Sequence, residues 1–185
     1  FLQCSFKEWS SSIDLNFSNQ LSIAHKLLPF RNLNVQIEPC VLFFAGGGTN
    51  NATQNYSAYT ISKIALIKMT ELLDAEIQDT RFSIVGPGWV KTKIHQETLV
   101  AGEELAGENY NRTQSNLNSE KFTPMDDVLD CCEWIIDSPR SVISGRNFSV
   151  VYDQWGQEEL SQSLLNDSHM YKLRRSSNTE LIKTK

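Results

Sequence analysis

A chain of 185 residues and 21.0 kDa has room for one ordinary domain and not comfortably for two. At 40% hydrophobic, 21% charged and 10% aromatic, the composition excludes a disordered or fibrous protein. A net charge of −5, from 17 Lys plus Arg against 22 Asp plus Glu, argues against a nucleic-acid binder, and no apolar run approaches the roughly 20 residues of a membrane span. Cys4, Cys40, Cys131 and Cys132 show neither Cys-x-x-Cys nor Cys/His ligand spacing. No metal site is expected, and the thiols read as buried and reduced, as in a cytoplasmic protein. Residues 1–7 carry no leader pattern and no initiating Met, so the reading is a piece of a longer, non-secreted chain.

The elements are expected in this order. Residues 8–30 form a helix, with Ile13, Phe17, Leu21, Ala24 and Leu28 at helical spacing. The apolar run 40–45, closed by Gly46-Gly47-Gly48, suits a strand buried on both faces. A polar loop leads to a long helix over about 57–78, with Ile61, Ala65, Met69, Leu72 and Leu73 on its apolar side. Residues 81–85 form a second strand, stopped by Gly86-Pro87-Gly88. The polar stretch 93–122 reads as a mobile segment with short helices. Thr123 is expected to cap a helix with Pro124 in its first turn, carrying Val128, Cys131, Cys132, Ile135 and Ile136. A third strand spans 147–152, and a helix near 158–165 precedes a loose basic tail. Alternating helices and apolar strands mean an α/β fold with a parallel sheet. Three strands are a thin sheet, so others are expected to precede them.

Tyr59 and Lys63 are four residues apart, so on a helix they project from one face about one turn apart. A nearby ammonium lowers a phenol's pKa and makes it a usable proton donor and acceptor. The pair follows one strand ending in glycines, and Pro87-Gly88-Trp89-Val90-Lys91-Thr92 follows another. Ligands of open α/β sheets bind outside the carboxyl ends of the strands, where both motifs fall.

Over about residues 8–156 the chain resembles the C-terminal part of a short-chain dehydrogenase/reductase. Tyr59-Thr60-Ile61-Ser62-Lys63 matches the family's Tyr-x-x-x-Lys, and Pro87-Gly88 with Thr92 matches the segment that holds the nicotinamide carboxamide. Asn16 matches the helix Asn that anchors a proton-relay water. The resemblance implies a Rossmann-like, doubly wound parallel sheet, represented by about three strands with flanking helices. It places this unit in residues 1–156, with 157–185 as a C-terminal extension, partly helical and then loose. It implies an NAD(P)-dependent oxidoreductase, with NAD or NADP as cofactor and a small carbonyl or alcohol as substrate. Tyr59 would exchange the proton, and Lys63 would lower the Tyr pKa and bind the ribose. Asn16 completes the catalytic set, and Tyr59, Lys63, Pro87, Gly88, Val90 and Thr92 would contact the cofactor. Neither nucleic acid nor membrane is an expected partner. A homo-oligomer through the helices at 8–30 and 57–78 is.

Two departures stand out. The family places a Ser thirteen or fourteen residues before the Tyr, where this chain has Gly46 and Ala45; Thr49 is the nearest hydroxyl along the loop. The Gly-rich turn that receives the pyrophosphate is missing, and Gly46-Gly47-Gly48-Thr49-Asn50-Asn51 does not replace it, because it follows a later strand. The alternative reading is therefore a catalytically impaired scaffold of the same fold that serves as a binding or assembly partner.

Overall fold

The computed structural model describes residues 1–119 and 121–176. Three strands, β1 (Cys40–Phe44), β2 (Arg81–Gly86) and β3 (Arg146–Ser149), form one parallel sheet in the order β1-β2-β3. Cys40 pairs with Arg81 and Phe44 with Val85; Ser83 pairs with Arg146 and Gly86 with Ser149. All three strands therefore end at the same edge of the sheet, and the loops that follow them gather there.

The chain before β1 is helical in four consecutive pieces. α1 (Phe6–Ile13) opens on a Ser5–Glu8 capping box, in which the Ser5 hydroxyl accepts from Glu8 N and the Glu8 carboxylate accepts from Ser5 N. A π-helical turn over Asp14–Ser18 follows, then α2 (Asn19–Leu27) and a 3₁₀ turn over Leu28–Phe30. α3 (Ser57–Glu76) joins β1 to β2. Between β2 and β3 come α4 (Ile94–Ala106), α5 (Glu108–Ser119), α6 (Met125–Asp137) and the short α7 (Arg140–Ile143). α8 (Glu158–Asn166) follows β3.

The period-2 alternation of β2 sorts its side chains between two layers. Phe82 and Ile84 meet Leu66, Ile67 and Leu73 of α3, together with Phe17, Leu21, Ala24 and Leu28 of the first helical run. Val85 faces the opposite layer, where Phe148 packs with Val128, Cys131 and Ile135 of α6 and with Leu160 and Leu164 of α8. Helices on both faces of a parallel sheet make this the doubly wound α/β arrangement.

Several sequence expectations are revised. β1 is less buried than a strand covered on both faces, with Phe44 exposed, because among the described residues β1 has a neighbouring strand on one side only. Residues 93–122 contain two helices, α4 and α5, of 13 and 12 residues. Pro124, not Thr123, is the N-cap of α6, and Thr123 instead donates its N–H to Trp89 O at 2.8 Å. β3 is shorter than expected, turning after Ser149. Cys4 is exposed and Cys131 buried, and all four thiols are free. The end of the tail, 177–185, lies outside the described residues.

Candidate functional site

Tyr59 and Lys63 lie in the first two turns of α3, which enters the sheet layer beside the carboxyl end of β1. The Lys63 side chain is 7% exposed, and its Nζ donates to Phe44 O, the last carbonyl of β1, at 2.9 Å. The same ammonium stands 5.8 Å from the Tyr59 ring centroid. Burial pulls the Lys63 pKa down from its ordinary value.

The half-buried Tyr59 ring lies against Gly46. A Cβ on Gly46 would stand 2.6 Å from Tyr59 Cζ and 2.8 Å from Cε1, and would overlap the hydroxyl. Only glycine leaves that space open. Ala45 is turned away: it is buried with Phe43, Leu66 and Ile67, and its N–H donates to Val85 O at 2.8 Å. Of the two residues at the Ser position, Gly46 is thus the one that faces Tyr59.

Burial raises the Tyr59 pKa, and the neighbouring Tyr56 adds to the rise. This corrects the expectation that Lys63 lowers it. The ammonium is engaged with a backbone carbonyl, and desolvation of the phenol dominates. The folded protein therefore holds Tyr59 as a neutral phenol at neutral pH, able to donate a proton.

The remaining predicted residues are distributed around this edge. Pro87, Gly88, Val90 and Thr92 follow β2. Gly88 has φ +76°, and a Cβ there would lie 2.5 Å from Val151 Cγ2, so this turn requires glycine. Val90 packs against the α6 layer, while Thr92 is exposed. Asn16 sits inside the π-helical turn that packs on α3, with its Nδ2 donating to Ser12 O at 3.0 Å. Among the described residues no hydrogen bond joins Asn16 to Tyr59 or Lys63.

Two neighbours of the site escaped the sequence reading. His95 stacks on Trp89 with ring centroids 3.8 Å apart, and its Nε2 donates to Val90 O at 2.8 Å, which pins the segment after β2. Tyr56 meets Tyr59 edge-on with centroids 6.3 Å apart. The aromatic pair Tyr56/Tyr59, at i and i+3 across a helix start, is the one signal that pointed to it.

The residues fit the nicotinamide-ribose end of a dinucleotide. An ammonium has three donors, and Lys63 commits one to a protein carbonyl. The glycine turn after β2 lies close against the Thr123 and Val151 side chains. No cluster of metal-ligating side chains occurs among the described residues, and none of their helices is long and apolar enough to cross a membrane.

The family model described as enoyl-(acyl carrier protein) reductase matches residues 1–151. A solved short-chain dehydrogenase/reductase from Saccharomyces cerevisiae aligns with a TM-score of 0.66 at 18% identity, covering 86% of this chain and 61% of that one. The ligand-free aldohexose dehydrogenase of Thermoplasma acidophilum aligns at 0.61 and 20% identity, over 80% of this chain and 59% of that one. A 4-hydroxyisoleucine dehydrogenase complexed with NADH aligns at 0.54 and 21% identity, over 80% and 60%. The chain thus spans about three-fifths of the length of these structures. At such identities the likeness is one of fold. A search of curated proteins found no match.

Proposed function

The chain belongs to the short-chain dehydrogenase/reductase family, and on that premise we propose that the full protein is a nicotinamide-dependent oxidoreductase interconverting a carbonyl and an alcohol. The observation that carries the proposal is the joint placement of Tyr59 and Lys63. Both reach the carboxyl end of β1, one against Gly46 and the other on Phe44 O. When bound, NAD or NADP supplies or accepts the hydride.

The chain's own residues do the rest. Tyr59, kept neutral by burial, donates its phenolic proton to the oxygen of a carbonyl as that oxygen gains charge. Lys63 gives one donor to Phe44 O, and its remaining donors would hold the ribose hydroxyls. Pro87, Gly88, Val90 and Thr92, which follow β2, would meet the carboxamide, and Asn16 would hold a relay water. The strand and glycine turn that receive the pyrophosphate in this family are not in the 185 residues, so binding of the whole dinucleotide requires a further segment of the full protein.

Tyr59→Phe tests the assignment. In the full protein, turnover against a panel of carbonyls and alcohols should fall by on the order of 10²–10⁴, while cofactor affinity by titration stays nearly unchanged. Retained turnover would remove Tyr59 from the reaction. Lys63→Ala should weaken turnover and cofactor affinity together.

One observation favours a second reading, a scaffold of this fold without turnover. At Gly46 there is neither a hydroxyl nor room for one while Tyr59 keeps its place. Loss of one transition-state hydrogen bond costs on the order of a hundredfold in rate. A full protein that binds NAD(P) but reduces nothing in the panel would favour the scaffold.

A further inference from the structure

Residues 54–56, which lead into α3, are fastened to the two helices that follow β2. Tyr56 Oη and Thr98 Oγ1 of α4 are 2.5 Å apart, and Asn109 Nδ2 of α5 donates to Gln54 O at 3.1 Å. At the junction of α4 and α5, a Cβ on Gly107 would stand 3.0 Å from Asn55 Nδ2. Tyr56 is also the N-cap position of α3, and its carbonyl accepts from Thr60 N at 2.8 Å. Its ring meets the Tyr59 ring at 89°. One side chain therefore touches both the proposed proton donor and α4.

Apart from this tie, α4 is held mainly by polar and stacking contacts: His95 stacks on Trp89 and bonds Val90 O at 2.8 Å, and Glu103 accepts from Asn111 Nδ2 of α5 at 2.8 Å. The buried residue of α4 is Ala106, at its far end, and Ile94, Val100 and Leu105 are exposed. Gly102, at φ +73° and ψ 172°, interrupts the helix, so Thr98 lies on a first half that is separated from the second by a non-helical residue. A segment with so few buried apolar contacts opens at low free energy, and a single polar tie then changes its open population measurably.

We propose that Tyr56 is a positioning residue: its hydroxyl latches α4 to the start of α3, and its ring fixes the orientation of Tyr59. The proposal rests on the reading of Tyr59 as proton donor for its meaning, but not for its test. With the latch closed, the Tyr59 ring is confined between Gly46 and Tyr56. With it open, α4 moves off and the ring gains both freedom and solvent.

Two measurements without substrate or cofactor decide the matter, on the protein and on Tyr56→Phe, Thr98→Val and the double variant. Each single change removes one hydroxyl and keeps the bulk of the side chain. Amide exchange over residues 94–106, read by mass spectrometry, should quicken about fivefold in each single variant. The double variant should exchange no faster than either single, because the two hydroxyls form one interaction. Titration of the Tyr59 phenol, followed by ¹³Cζ resonances and assigned with Tyr59→Phe, should move downward in both single variants. A hydroxyl pair that merely stabilised α4 would leave that titration in place. Unchanged exchange in the single variants, additive exchange in the double one, or an unmoved Tyr59 titration would each overturn the proposal. None of these readouts requires turnover, so failure of the latch and failure of the oxidoreductase reading are separately visible.

Discussion

The contact between Tyr59 and Gly46 sets the chemistry of the phenol at the scale of single residues. The ring occupies the place of the Cβ that residue 46 lacks, and this seclusion is what raises its pKa. Gly46→Ala should therefore destabilise the fold by about 1–3 kcal/mol, as overpacking does. In a Tyr59→Ala background that cost should vanish, as urea midpoints would show. An equal cost in both backgrounds would mean that the two residues do not compete for one space. The pH dependence has a defined sign. A phenol whose folded pKa is raised contributes stability that is complete below the ordinary value near 10 and is lost as pH rises beyond it. Alkaline denaturation should accordingly begin at lower pH in the protein than in Tyr59→Phe. The i, i+4 spacing made the Tyr59–Lys63 pair legible from sequence. The choice between Ala45 and Gly46 was not, because a shift of one residue at the end of a strand exchanges the faces. The Lys63 bond to Phe44 O depends on where β1 stops, which no side-chain pattern states.

At the scale of elements, three arginines tie helix ends to the sheet in a way that no residue pattern announced. Arg81, 3% exposed, donates from Nη1 to Ile136 O at 2.8 Å and to Ser138 O at 2.6 Å, and from Nε to Glu38 O at 2.8 Å. Arg140 reaches Asp74 O and the Asp74 carboxylate in the last turn of α3, and Thr80 O beyond it. Arg146 donates to Leu164 O and Met170 O around the end of α8. Each guanidinium satisfies carbonyls that a helix end leaves without partners, at the negative end of the helix dipole. Among the described residues every Arg81 acceptor is a backbone carbonyl, so backbone dipoles face its charge. Arg81→Met should cost about 2–4 kcal/mol by chemical denaturation, since several buried carbonyls lose their donors at once. Arg81→Lys should recover less than half, because an ammonium cannot match the planar fork. Full recovery by Lys would mean that charge, not geometry, matters. Long-range caps of this kind are invisible to local patterns. The main helices and strands, by contrast, followed from apolar periodicity. α4 and α5 were underestimated because their Asn-, Glu- and Gly-rich sequences offer few apolar positions, and the exposed faces of both helices show why.

The arrangement at the largest scale follows from the sheet order, which among the described residues leaves one edge of β1 without a strand. That edge and α2 line a groove of about 440 Å³, walled by Ile23, Leu27, Leu28, Val41 and Phe43. The parallel α/β class and the three strands were legible from alternating apolar runs and helices. The position of the open edge was not legible from residue patterns, because strand order is a tertiary property; the expectation of missing strands came from the thinness of the sheet and from the resemblance to the C-terminal part of the family. An open edge with apolar walls is a template for association. The 185-residue chain expressed alone should therefore self-associate in light scattering, and it should bind NAD or NADP more weakly than the micromolar range in calorimetry. The first expectation follows from the uncovered groove. The second follows from the missing pyrophosphate turn, since Tyr59, Lys63 and the 87–92 segment meet only one end of a dinucleotide. Leu27→Lys isolates the first cause. Leu27 is 62% exposed, so a lysine there should leave folding nearly intact while placing a charge on the groove wall. Association should fall in that variant, with no gain in dinucleotide affinity. A monomeric parent chain that binds NAD(P) at micromolar concentration would contradict both expectations, and it would mean that these 185 residues build a complete cofactor site by some route other than a glycine turn.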